Sequence, residues 1–208
     1  MSVRAVIVTD GKRGHENQSR VVARMAGDQA PLVMQLRDSV KDGGIGEWML
    51  RTRMRMGGGR SLGLQPAARM VRKYLAPEDT RAFRDFAAEV QREQHERTVV
   101  ISTGTPPATF NLVVAGMLKA TSIVVMTPSL LPRNLFGLNI VPAHDWRGGE
   151  VPANVIVSAL ALAHFDETAA EHLTIRLRRE HELSRAHVYW GLALGGPSKS
   201  APWQREHL

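Results

Sequence analysis

A chain of 208 residues, 43% hydrophobic and 23% charged, can bury one substantial core and has the composition of an ordinary globular protein. It contains no cysteine, which excludes a disulfide scaffold, a thiolate nucleophile and a cysteine-ligated metal or iron–sulfur site. Its 27 Lys and Arg against 20 Asp and Glu leave a surplus of +7 that favours an anionic partner, while 5% aromatic content argues against an RNA-stacking surface and hence against nucleic acid. No apolar run approaches the roughly 20 residues that span a bilayer, and the amino terminus opens a strand, not a secretory signal, so a soluble, cytoplasmic protein is expected.

Short β-branched runs alternate with helical patterns, the signature of an α/β fold with a parallel sheet covered on both faces. The first strand is expected at about 4–9 and is followed by Asp10-Gly11-Lys12-Arg13-Gly14-His15-Glu16-Asn17-Gln18-Ser19. A buried strand that breaks into a Gly-x-x-Gly turn and enters a helix (about 16–26) leaves backbone N–H groups free to meet an anion. Gly11, Lys12, Gly14, His15, Asn17, Gln18 and Ser19 are therefore candidate ligand residues; the alternative is a tight turn whose polar groups are only solvated. Neither Gly-x-Gly-x-x-Gly nor Gly-Lys-Ser/Thr is present, and no cofactor is assigned.

A second strand at about 32–36 leads to a helix at about 45–56 in which Ile45, Trp48, Met49, Thr52 and Met56 share one stripe flanked by Arg51, Arg53 and Arg55. Such a helix could rest among anionic lipid headgroups at the inner face of a membrane, or be an ordinary buried helix with solvated arginines. Gly57-Gly58-Gly59 favours neither helix nor strand, and helices follow at about 66–74 and 77–96, the latter with Asp79 and Thr80 as candidate N-caps.

The strand at about 98–102 ends in Ser102-Thr103-Gly104-Thr105-Pro106-Pro107, where Thr103, Gly104 and Thr105 suit a phosphate or sugar unless Thr105 simply caps the helix at about 108–119. The strand at about 122–126 gives way to the irregular segment Thr127 to Asn134, whose prolines cannot join a sheet ladder. After the strand at about 138–141, His144 and Asp145 are a candidate acid/base pair, although neighbours in extended chain point opposite ways. His15, His144 and Asp145 lack metal-ligand spacing, so no metal is assigned.

A strand at about 154–157, a charged helix at about 167–184 with Leu173, Leu177 and His181 on one stripe, and a strand at about 187–194 complete the expected elements. The last strand runs into Gly195-Gly196-Pro197-Ser198, where Gly195, Gly196 and Ser198 form a second candidate anion cradle or a flexible chain end. Because ligands gather beyond the carboxyl ends of parallel strands, the loops after them can converge on one cleft.

Asp-Gly-Lys-x-Gly-His-Glu-Asn-Gln-Ser at 10–19, Pro-x-His-Asp at 142–145, Asn154-Val155 and Gly195-Gly196-Pro197-Ser198 resemble the family of the plant elongated-mitochondria fission factor, whose bacterial members are often labelled nucleoside-diphosphate-sugar epimerases. That family is similar to the GT-B glycosyltransferases, in which two Rossmann-like domains face each other across a cleft. The resemblance implies a Rossmann-like, acceptor-side domain over residues 1–186, with residues 187–208 opening a second domain that is otherwise missing or supplied by another chain. It implies a nucleotide sugar or other phosphorylated small molecule as ligand, and glycosyl transfer to an envelope or membrane-associated acceptor, with His15 at the cleft floor and His15 or Asp145 assisting the acceptor hydroxyl. Thr105 stands where family members more often carry arginine. The alternative is a non-catalytic protein that binds a membrane surface or partner through the arginine-edged helix.

Overall fold

A computed structural model describes residues 3–37, 73, 75, 77–92, 97–129, 131–163, 167–184 and 186–190. The chain divides into two compact units, Met1–His164 and Phe165–Leu208. The first unit contains β1 (Val3–Thr9), α1 (Arg13–Ala26), β2 (Leu32–Gln35), α2 (Pro77–Arg92), β3 (Arg97–Thr103), α3 (Thr105–Leu118), β4 (Thr121–Val125), β5 (Leu138–Pro142) and β6 (Val155–Ser158). Single 3-10 turns lie at Arg133–Leu135 and Ala143–Asp145.

All six strands pair in parallel in the order β2-β1-β3-β4-β5-β6. From β1 the chain steps outward to β2, then crosses back over β1 to β3 and continues the other way. Right-handed crossovers on both sides of that reversal must carry the helices to opposite faces. The packing agrees: Val22 and Ala23 of α1 meet Ala5, Ile7, Ile101, Ile123 and Val125 on one face. Phe83 and Phe86 of α2, with Phe110, Val113 and Val114 of α3, meet Val6, Val8, Val100 and Val124 on the other. Ala5, Val6, Ile7 and Val8 are consequently fully buried, which is why β1 reads as an unbroken apolar run. The fold is thus α/β and Rossmann-like, as the sequence pattern indicates.

Two local features hold the frame. Helix α1 ends at Gly27, whose φ of 106° is the left-handed conformation that lets its N–H and that of Asp28 return to the carbonyls of the last turn. In the middle of α3, fully buried Asn111 directs its Nδ2 at Val100 O (3.1 Å), Ser102 Oγ (3.0 Å) and Ile123 O (2.7 Å), so one side chain clamps the helix to both β3 and β4.

Several boundaries differ from the sequence expectation for identifiable reasons. Helix α1 starts at Arg13, so Gly14 belongs to its first turn and not to a free Gly-x-x-Gly loop; only Gly11, at φ 78°, takes the left-handed conformation. Asp79 caps nothing in α2, which begins at Pro77; its Oδ2 instead accepts the Gln35 N–H (2.8 Å) and finishes β2. Thr105 is not a cap either, because Gly104 is the N-cap of α3. The expected helices at 45–56 and most of 66–74, the triple glycine and residues 191–208 lie outside the described residues. Among the described residues, no helix is long and apolar enough to cross a membrane.

In the second unit α4 (Glu167–Glu180) buries no residue, and Leu173, Ile175 and Leu177 are each about half exposed. His187 to Trp190 are irregular where a strand was expected.

Candidate functional site

The reversal of winding falls between β1 and β3, and in an open parallel sheet such a switch point leaves a crevice beyond the carboxyl ends of the two strands. Val8 is in register with Ser102 and Thr103 with Val125, so the segments that follow β1, β3 and β4 all leave at the same edge.

At the end of β1 the side chain of Asp10 turns inward and is only 1% exposed. Both its carboxylate oxygens lie 3.1 Å from His15 Nδ1, one turn into α1. An ionised carboxylate can only accept, so Nδ1 carries the proton, and in the neutral ring Nε2 keeps its lone pair. The Lys12 N–H donates to Asp10 Oδ1 (3.2 Å), the Gly11 N–H donates to Thr9 Oγ1 (3.1 Å), and Lys12 Nζ stands 3.8 Å from Asp10 Oδ2. Asp10 is thus built into its loop before it meets the histidine.

Burial acts to raise the Asp10 carboxyl pKa, but the hydrogen bond and positive charge of His15, followed by the Lys12 amide and ammonium, outweigh it and hold the carboxyl below the ordinary aspartate value. A carboxylate whose folded pKa is depressed contributes stability that is present above its unfolded pKa, about 4, and is lost as pH falls through the folded value. Denaturant unfolding of the wild type and of Asp10→Asn across pH 2–7 is therefore expected to show a stability gap that is widest near neutrality and narrows below about pH 4.

Helix α1 has no side-chain cap, and the amides of Arg13, Gly14 and His15 precede its first intrahelical bond, from Glu16 N–H to Lys12 O. By contrast, Pro106 and Pro107 remove two amides from the first turn of α3, which offers hydroxyls instead. Gly104 closes the other wall of the crevice. Its φ of 80° and ψ of −177° belong to a region that glycine alone occupies readily, and a Cβ there would stand 3.0 Å from His15 Cε1. Thr105 Oγ1 accepts the Ser129 N–H (3.1 Å) and lies 3.2 Å from Ser129 Oγ, joining the loop after β3 to the loop after β4.

The structure separates the remaining predicted residues. Ser19 and Thr103 are buried and bond each other through their hydroxyls at 2.9 Å, so they fasten α1 to β3 beneath the crevice. Asn17 is exposed on α1, and Gln18 holds a buried Oε1 with no hydrogen-bond partner among the described residues. His144 and Asp145 lie beyond β5, three strand spacings or roughly 14 Å from β1. A 3-10 turn, not extended chain, brings His144 Nε2 within 3.7 Å of Asp145 Oδ1, but His144 is exposed, Asp145 is only partly buried and the contact is loose. Gly195, Gly196 and Ser198 lie outside the described residues. No group of three or more potential metal ligands is found among the described residues.

Sequence reasoning overlooked Asp10, although an aspartate at the first position beyond a buried strand, one helical turn from a histidine, carries that signal. A cavity of about 620 Å³ opens at the opposite edge of the sheet, around Thr121, Ser122 and Gly137. There the Gly137 N–H donates to Ser122 Oγ (3.0 Å), a structural bond, and among the described residues that line the cavity there is no histidine or carboxylate.

A doubly wound parallel sheet with a polar crevice at its switch point defines this molecule as an α/β, Rossmann-like protein. The family model described as Mitochondrial fission ELM1 matches residues 13–208, and the chain belongs to that family. Comparison with curated proteins and with solved structures yields no match.

Proposed function

We propose that the switch-point crevice is the acceptor side of a GT-B-like glycosyl-transfer site, which binds a nucleotide sugar and activates an acceptor hydroxyl with His15. The observation that carries this reading is the Asp10–His15 pair. Asp10 fixes the ring through Nδ1, Gly104 lets the backbone approach the ring closely, and Nε2 is the nitrogen left for substrate. In the transfer step the acceptor O–H gives its proton to His15 Nε2 while its oxygen bonds to the anomeric carbon. The bond from that carbon to the nucleoside diphosphate breaks, and the diphosphate departs with the electron pair. The amides at the start of α1, with Lys12 and Arg13 close by, suit the negative charge of the phosphates.

Membership of the family and the basic surplus are consistent with this reading, whereas the membrane-surface alternative rests on a helix outside the described residues. The test is the release of nucleoside diphosphate from a panel of uridine-, guanosine- and adenosine-diphosphate hexoses in the presence of a bacterial membrane extract as acceptor source. His15→Ala is expected to lower turnover by about 10²–10⁴ while donor affinity measured by calorimetry changes little. Asp10→Asn should also lower turnover substantially, because an amide no longer selects the Nδ1–H tautomer. Unchanged turnover in His15→Ala, or no binding of any of these donors by the wild type, would overturn the reading.

A further inference from the structure

Among the described residues, Arg133 is an arginine without an acid. Its guanidinium lies 5.0 Å from the centroid of the Trp146 ring, and its one side-chain hydrogen bond is a long one, from Nη2 to Thr127 Oγ1 at 3.4 Å. Nε is buried with no partner, and among the described residues no carboxylate pairs with the group. A buried guanidinium nitrogen with no partner is costly unless something meets it, whereas the nitrogens that are not buried stay open to solvent or to a ligand.

The backbone of the same residue is, by contrast, fully engaged. Arg133 O accepts from Asn139 Nδ2 and Asn154 Nδ2, both at 3.0 Å, and Asn154 Nδ2 also reaches Phe136 O. The 3-10 turn is therefore pinned to the starts of β5 and β6 independently of the side chain. That side chain lies against the Trp146 ring, and of its donors Nε is buried while Nη2 has only the long bond to Thr127, which leaves the Nη nitrogens as the side open to a ligand.

Its position links it to the crevice. His15 lies against Gly104, Thr105 bonds Ser129, and Thr127 of the same loop meets Arg133 Nη2, so a line of contacts leads from the crevice to the guanidinium, although the turn that carries it is pinned at the starts of β5 and β6. Lys12, Arg13, His144 and Arg147 also follow strands at that edge; of its carboxylates Asp10 is buried and paired with His15, and Asp145 faces His144 at 3.7 Å.

We propose that Arg133, lying against Trp146, is a phosphate-recognising residue that extends the His15 crevice, taking a phosphate group of a phosphorylated ligand on its two Nη nitrogens. The inference rests on the glycosyl-transfer reading and deepens it, in that it names a group beyond the Thr105–Ser129 link from His15 that holds the ligand's charge. A guanidinium matches two oxygens of one phosphate at once, which an ammonium cannot do.

The test titrates inorganic pyrophosphate into the full chain and follows the arginine Nε–H resonances, with the Arg133 signal assigned by its loss in Arg133→Lys. The Arg133 resonance is expected to shift saturably, and Arg133→Gln to weaken pyrophosphate binding by about ten- to a hundredfold with the thermal midpoint nearly unchanged. Arg133→Lys should recover only part of the affinity. Arg133-dependent binding to phosphatidic acid vesicles would equally support phosphate recognition and would place the phosphate on a lipid headgroup. An unmoved Arg133 resonance, or Arg133→Gln binding as wild type does, would overturn the proposal, and so would a large loss of thermal stability with pyrophosphate affinity intact. Arg133-dependent binding of pyrophosphate without His15-dependent turnover would sustain this inference while the transfer reading fails. The converse pattern would do the opposite.

Discussion

Gly104→Ala is expected to cripple the crevice while leaving the sheet folded. At φ 80° and ψ −177° an alanine is strained whatever space surrounds it, at a cost of about 1–3 kcal/mol. The space is not there either, since the new Cβ meets His15 Cε1 at 3.0 Å and Nδ1 at 3.4 Å. The strain cannot be relieved by moving Gly104 alone, because its N–H is bonded to Val125 O (3.0 Å) at the end of β4. The ring must therefore yield, and its displacement breaks the even hold of Asp10 on Nδ1. On the proposed function, a shift approaching 1 Å lowers turnover by about a hundredfold. The separating measurement is a pair of numbers for Gly104→Ala. Denaturant unfolding should report a loss within the backbone range just given, and the pH 2–7 stability profile should lose the part attributed to the Asp10–His15 pair. A variant that kept that profile would show that Gly104 does not position His15.

The sheet was legible because burial leaves a plain signature in a parallel fold. Ala5 to Val8, Val99 to Ser102 and Ile123 to Val125 are continuous apolar or small runs, and each is a strand. What sequence could not supply was the strand order, and the order decides where the crevice lies. Nothing in the composition of β2 says that the chain crosses back over β1 to reach β3, yet that crossing makes the loops at Asp10 and Gly104 face each other. Turn geometry was the other obscure part. His144 and Asp145 would diverge in extended chain and approach in a 3-10 turn, and the spacing of two adjacent residues cannot distinguish these conformations. The capping roles considered for Asp79 and Thr105 fail for a shared reason: a polar residue near a helix start has a local partner, the helix, and a distant one, here Gln35 and Ser129 respectively. Tertiary contacts chose the distant partner in both. Arg133 lay within the loop recognised from its prolines, but its unmet donors depend on which acids fail to reach it, a property of the packed structure alone.

Asn111 offers the sharpest test of what holds the frame beneath the crevice. Asn111→Asp leaves shape and volume almost unchanged and replaces the NH₂ group, which faces three oxygens, with a group that can only accept when ionised. At neutral pH a buried, fully enclosed carboxylate opposite Val100 O, Ser102 Oγ and Ile123 O should cost about 3–5 kcal/mol, the scale for an uncompensated buried charge. Protonation restores one donor, so the new carboxyl has a folded pKa raised above its unfolded value of about 4. The destabilisation must therefore be least below pH 4 and must grow as pH rises toward neutrality, opposite in direction to the loss of the Asp10 contribution on acidification. Asn111→Leu removes the polar group altogether, loses its hydrogen bonds without burying a charge, and should cost about 1–2 kcal/mol with little pH dependence. Urea unfolding of the two variants at pH 3.5 and pH 7 checks the order. Equal losses for both at pH 7 would mean that water reaches Asn111 and that the clamp contributes little, whereas a steep pH dependence confined to Asn111→Asp identifies this single amide as the tie between α3, β3 and β4. The strands it joins carry the Gly104 wall and the loop of Ser129, so that tie also sets how firmly the crevice is framed.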